Sequence, residues 1–239
     1  MSDEQRNEPL TQHLTELRNR IIWILVSFVV ALIGNFVFAE KIYRYIKSDL
    51  FKEITLNTIT LAGPLKVWMQ IAFVGALIIT VPIILYHIWQ FVRPGLHPKE
   101  QKAALMYIPF AILLFILGIS FGYFLVIPFL ITFLDAFANG WGIGQVYTIE
   151  KAFGFVFSII LPISIYFELP VIVLFLVRIR ILSVAILKKI RRFAYLGIVV
   201  LAAIITPAEI ITNLVVAIPM ILLYEFSILL AWRLEKKLD

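Results

Sequence analysis

The chain has 239 residues, 62% of them hydrophobic and only 15% charged, with a mean hydropathy of +0.99. That balance excludes a soluble globular domain, and runs that are continuously apolar instead of alternating exclude a β-barrel. The formal charge of +6 comes from basic residues placed just outside apolar runs, which indicates membrane topology and not nucleic-acid binding, and the absence of cysteine excludes disulfides and thiolate metal ligands.

In chain order, Leu10, Leu14, Leu17 and Ile21 recur at helical spacing behind Pro9, predicting an amphipathic helix on the cytoplasmic surface. The first span is expected over 21–39, with no small-residue cleavage site after it, so it is expected to be retained. Ile42, Tyr45, Ile46 and Leu50 then predict a second interfacial helix, and the stretch to Gly63 and Pro64 completes an outer cap. Further spans are expected over 65–92, 103–134, 152–177, 193–206 and 210–232. The fifth, at about 1.5 Å per residue, reaches only about 21 Å of a hydrocarbon core of about 30 Å. Either the bilayer thins, another helix docks there, or neighbouring residues extend it.

Lys and Arg orient the chain. Fifteen lie in the N-terminus, the second and fourth connections and the C-terminus, against six on the other side. By the positive-inside rule both termini are cytoplasmic, which requires an even number of spans. The expected fold is an all-α membrane protein. One polytopic domain over 1–239 has six transmembrane helices, an interfacial N-terminal helix and an outer-side cap.

Catalysis finds little footing. There is no phosphate-binding Gly-rich loop, and His13, His87 and His97 show neither HExxH spacing nor partners for a zinc site. Ser120, Ser158 and Ser164 lie in apolar helices, where serine usually bonds its own backbone or a neighbouring helix. No enzyme and no cofactor is expected.

The carboxylates are more informative. Glu168 falls near the middle of the fourth span in PISIYFELPV (162–171), between Pro162 and Pro170. An acid there costs about 2.5–3.5 kcal/mol on the insertion scale. Each proline also deprives the carbonyl four residues earlier of its donor, at Ser158 and Tyr166. Such a kinked polar wall requires water, a side chain or another protein. It can equally serve a pairing inside the bundle, or carry a proton in a small-molecule transporter. Glu225 lies nearer the cytoplasmic end of the sixth span, where snorkelling or a pair with a nearby basic group suffices. On the cytoplasmic surface, Glu16 can pair with Arg20 at i,i+4 spacing, and Glu100 sits among basic residues.

HLTELRNRI (13–21), FVRPGLHPKE (91–100), FELP (167–170), TPAE (206–209) and AIPM (217–220) are each weak alone. In this order, on a chain of this topology, they resemble the TatC family, the multispanning core of the twin-arginine protein translocase, over essentially the whole length. The lack of a transit peptide favours the prokaryotic plasma membrane, though an organelle-encoded copy would look the same. The resemblance implies a receptor for folded precursors bearing twin-arginine signal peptides. It further implies work with single-span TatA and TatB partners, powered by the proton-motive force, in the lipid bilayer, with room for self-association and no nucleic acid. Carried over by motif, Glu16 and Glu100 contact the two arginines, with Arg18, Phe91, Pro94 and Leu96 shaping the site. Glu168 is the polar intramembrane residue, Glu209 and Asn213 lie at the outer turn, and the fifth span, at Ala203 and Ile204, docks TatB. Gln101-Lys102 stand where a pair of arginines is expected, Ala208 where a second proline is common, and Glu209 where Asp is frequent. None of these departures removes a motif carboxylate. The alternative reading is a proton-coupled transporter with Glu168 as carrier, although no matching repeat of the broken segment is present.

Overall fold

The structure, a computed structural model, describes residues 4–52, 54–93, 98–206 and 210–238. It begins with one unbroken helix, α1 (Glu4–Leu50), of 47 residues and about 70 Å in length. This corrects the expectation of separate interfacial helices on either side of the first span. From Leu10 to Leu50 the chain holds no proline and a single glycine, Gly34, so no backbone donor is missing and the helix continues. Pro9 lies inside the helix, which starts at Glu4. Leu14, Trp23, Val30, Ile33 and Val37 are exposed along it, the surface expected of a helix facing lipid.

After β1 (Leu56–Asn57), α2 (Gly63–Val92) returns against α1. The Trp68 indole donates to the Phe36 carbonyl at 2.9 Å. Midway, Asn35 donates to Ala31 O at 2.8 Å, and its Oδ1 faces Gly75 so closely that a Cβ there would clash with it.

The third rod joins α3 (Pro98–Phe121), a π-helical turn (Gly122–Val126) and α4 (Ile127–Gly140). The Ile127 amide bonds Gly122 O, five residues back. The slip falls where Pro128 removes the donor that the Phe124 carbonyl would take. It leaves Tyr123 buried, donating its hydroxyl to Asp49 at 2.8 Å.

β2 (Tyr147–Thr148) pairs in parallel with β1, Leu56 opposite Tyr147 and Asn57 opposite Thr148. The Glu150 carboxylate accepts from Thr60 Oγ1 at 2.9 Å and Thr58 Oγ1 at 3.3 Å, closing a cap over this end of the bundle. The expected outer cap is therefore built partly by strand pairing that no periodicity announced. Burial, with the Asp135 carboxylate beside it, pushes the Tyr147 hydroxyl pKa up.

The fourth rod is broken into α5 (Ile149–Tyr166) and α6 (Leu169–Arg178). Pro162 sits within α5 without ending it. The turn falls at Phe167–Glu168, immediately ahead of Pro170, which occupies the first turn of α6 where its missing donor costs least. α7 (Val184–Lys189), capped by Ser183, leads into α8 (Arg191–Ile205) and α9 (Ile210–Leu238). The packed interior centres on Ile71, Phe115, Ile127, Leu130, Phe153, Ile159 and Ile163.

Among the described residues five helical rods, over 14–50, 63–92, 105–140, 149–178 and 211–236, are long and apolar enough to cross a membrane. α8, with 15 residues and a length of about 22 Å, is the short one, at the place where the fifth run was short in sequence. The end of α2 meets the start of α1 through Arg20, α3 packs on α6, and Val184 of α7 donates to Glu235 of α9 at 3.4 Å. These contacts gather the start of α1 and the end of α9 at the end of the bundle opposite the cap.

Candidate functional site

At that end a groove of about 620 Å3 is lined by Thr15, Glu16, Asn19, Arg20, Trp23, His87 and Gln90. Glu16 reaches it because α1 continues past the first span and carries the residue one turn before Arg20. Arg20 Nε donates to Glu16 Oε1 at 3.1 Å, and Nη2 donates to the same oxygen. The guanidinium also crosses to α2, where Nη1 donates to Gln90 Oε1 and Nη2 to the Gln90 carbonyl at 3.2 Å. Gln90 is itself oriented by donating Nε2 to the Tyr86 hydroxyl at 2.7 Å. A chain of polar contacts thus runs from Glu16 through Arg20 and Gln90 to Tyr86. The i,i+4 pair expected from sequence is present, and Arg20 additionally ties two helices together.

The other residues expected here are placed as follows. Arg18 is exposed on α1, and Phe91 is half-buried near the end of α2. Glu100 lies in the first turn of α3, with its side chain outside the described set, and Pro94 and Leu96 lie outside the described residues. Gln90, His87, Trp23 and Asn19 were not anticipated. Gln90 directly precedes the FVRPG motif, and the others fall on the same faces as Glu16 and Gln90 at three- and four-residue spacing, a signal that pairing α1 with α2 would have revealed.

In the middle of the bundle, Glu168 is 5% exposed, and neither of its carboxylate oxygens has a hydrogen-bond partner among the described residues. The residue stands at the N-terminus of α6, yet its side chain does not cap that helix. The Tyr166 hydroxyl is likewise unpartnered among the described residues. Phe167 turns toward α3, where its ring lies 5.5 Å from that of Phe121. By contrast, Ser164 Oγ donates to Ile160 O at 2.6 Å, and Ser158 Oγ to Phe155 O at 2.9 Å, so these serines serve their own helix. Glu225 accepts from Arg191 at 2.6 Å and from the Tyr195 hydroxyl at 2.5 Å, a satisfied local pairing.

Toward the cap end of the short helix, Ala203 and Ile204 are exposed, Ile204 by 74%. Thr206 Oγ1 closes the helix by donating to Ala202 O at 2.9 Å. Glu209 lies outside the described residues. Asn213, one turn into α9, is half-buried, and its Oδ1 lacks a partner among the described residues. The three places are distinct: a groove at one end, a buried acid mid-bundle and a short helix edge toward the other end.

Residues 12–219 match the family described as TatC, Sec-independent protein translocase protein. The chain is 42% identical over 239 residues to the Sec-independent protein translocase protein TatC of Halalkalibacterium halodurans, covering 98% of this chain and 94% of that protein. It is 41% identical over 229 residues to Sec-independent protein translocase protein TatCy of Bacillus subtilis, covering 95% and 90%. Its fold is similar to the crystal structure of a twin-arginine translocase receptor TatC, with a TM-score of 0.83 at 30% identity, covering 93% of this chain and 99% of that one. These likenesses run along nearly the whole chain and leave the small-molecule transporter reading without support. The chain is a multi-pass membrane protein and belongs to the TatC family of Sec-independent protein translocases.

Proposed function

We propose that the chain is the twin-arginine signal receptor of its translocase, and that the groove at Glu16 receives one of the signal's guanidinium groups. The observation that carries this reading is that Glu16 and Gln90 already hold a guanidinium, that of Arg20. A carboxylate facing a carboxamide suits the planar fork of arginine and suits the point charge of lysine less well. Carried over by motif, Glu100 supplies the second carboxylate, with Arg18, Phe91, Pro94 and Leu96 shaping the site. Two acids on separate segments then read two consecutive arginines without a deep pocket.

This assignment places the groove and both termini in the cytoplasm of a prokaryotic cell, with the cap outside the inner membrane. Glu168 offers an unsatisfied carboxyl to a partner helix or an inserting signal, and Asn213 with Glu209 marks the outer turn. The exposed Ala203 and Ile204 edge of α8 docks a TatB-type single-span protein. TatA-type partners and the proton-motive force supply the transport step.

Site-specific crosslinking from a twin-arginine signal peptide is expected at Glu16 and Glu100, and Glu16→Ala with Glu100→Ala together is expected to abolish it. Replacing the signal's Arg-Arg by Lys-Lys should weaken crosslinking as strongly. Unchanged crosslinking in the double variant removes the site assignment.

A further inference from the structure

A second groove, of about 1000 Å3, opens at the cap end between the last turns of α1, residues 51–52 and 54–56, and the start of α2. Its floor is apolar, with Phe51, Val67 and Ile71 all buried. Its rim carries Arg44, Lys47 and Lys52 together with one acid, Glu40. Arg44 is bonded to Glu40, Nε at 3.1 Å and Nη2 at 2.6 Å. Among the described residues no carboxylate lies within 4.0 Å of Lys47 or Lys52, and Lys47 instead sits 6.0 Å from the centre of the Tyr43 ring.

This basic cluster stands against the charge rule that orients the rest of the chain. Lys41, Arg44, Lys47 and Lys52 fall within residues 41–52 and make up most of the basic residues on the side where such residues are disfavoured. Their depth is set by α1. The uncharged run 21–39 is about 28 Å long, close to a hydrocarbon core of about 30 Å. Arg44 and Lys47 follow roughly 8 and 12 Å further along the axis, which in a tilted helix is the headgroup layer. Trp68, on the groove wall, has the interfacial placement common for its type.

We propose that this groove binds an anionic phospholipid of the cap-side leaflet. Lys47 and Lys52 hold the headgroup phosphate, and an acyl chain lies along Phe51, Val67 and Ile71. The charge is complementary at the rim and the floor is apolar below it, an order that a phospholipid meets and a small soluble anion does not. The inference is independent of the signal-binding groove, which lies at the other end of the bundle.

The test uses the full chain with Trp68 as its one tryptophan, the other four (Trp23, Trp89, Trp141 and Trp232) changed to Phe. Reconstituted into vesicles, Trp68 should be quenched more efficiently by brominated phosphatidylglycerol than by brominated phosphatidylcholine at equal mole fraction. Lys47→Gln with Lys52→Gln should reduce that preference about ten-fold, whereas Lys188→Gln with Lys189→Gln, at the opposite end, should leave it. Native mass spectrometry of the chain with all its tryptophans should show the same loss of retained phosphatidylglycerol, guarding against misfolding of the single-tryptophan variant. Equal quenching by the two lipids, or a preference that survives the Lys47/Lys52 change, overturns the proposal. So does loss of the preference on adding millimolar inorganic phosphate, which assigns the rim to a free anion, or an acidic peptide, which assigns it to a protein partner.

Discussion

Gly118 on α3 and Ser164 on α5 pass so closely that a Cβ on Gly118 would lie 2.8 Å from Ser164 Cα and 3.0 Å from the Phe167 side chain. The contact falls one turn ahead of the break that carries Glu168, so the third rod holds the broken fourth rod in place. The obstacle is partly backbone, which cannot swing aside.

Gly118→Ala is therefore expected to destabilise the fold by about 1–3 kcal/mol through overpacking. Gly122→Ala, whose Cβ would meet Ile160 at an ordinary 3.5 Å, should change stability by less than about 0.5 kcal/mol. Thermal unfolding of both variants in detergent is the check. Equal melting temperatures would mean that the Gly118 approach is not a tight one.

Gly75 and Asn35 form a similar contact between α2 and α1, but here the obstacle is a side chain. Gly75→Ala should cost about 1–3 kcal/mol, and adding Asn35→Ala should recover most of it. A coupling below about 0.5 kcal/mol in that double-mutant cycle would show that the two residues do not meet.

Glu168 is buried without a hydrogen-bond partner among the described residues, so removing its charge should not lower stability. Glu168→Gln and Glu168→Leu are expected to melt at or above the parent temperature. Export of a folded twin-arginine reporter should survive in Glu168→Gln, which keeps hydrogen bonding, and fall sharply in Glu168→Leu. Loss of export in the Gln variant at unchanged stability would point to titration and not to polar contact.

Arg20 occupies the Glu16 oxygen that, on the proposed function, a signal arginine would take. Glu16→Gln should weaken binding of a twin-arginine peptide by about ten-fold, the loss of one charge-assisted contact. Arg20→Gln should instead tighten binding a few-fold by freeing the carboxylate, although it removes a tie between α1 and α2. Titration of a labelled peptide into each purified variant separates competition, seen as tighter binding, from simple bracing, seen as weaker binding.

Several of these relations were readable before any coordinates. The Glu16–Arg20 pair follows from i,i+4 spacing, and the short helix at 191–205 from a short apolar run. For Glu225 the sequence left snorkelling and a basic partner both open, and the structure shows the partner, Arg191. Others were not readable, because period and propensity describe one segment at a time. Nothing along residues 13–21 says that Gln90 faces Arg20, and nothing in the loops says that Leu56 pairs with Tyr147. Pro162 and Pro170 announce a disturbance in the fourth rod, yet a proline alone does not choose between bending a helix and ending it. What only the fold shows is that the turn at Phe167 and Glu168 packs against α3, where Gly118 leaves room for it.

By itself the sequence determined the multi-pass membrane class, the family its motifs resemble, and which carboxylates stand out. Each of these depends on local hydropathy, charge or motif, which a linear chain carries in full. Only the tertiary structure decided that α1 runs unbroken, that Glu168 ends in a turn with both oxygens unpartnered among the described residues, and that an arginine already fills the Glu16 site. It also decided that the basic turns of α1 overhang an apolar groove. Those outcomes depend on which faces meet across helices, and in lipid, where apolar surface attracts nothing in particular, close fit and the few polar contacts settle that meeting.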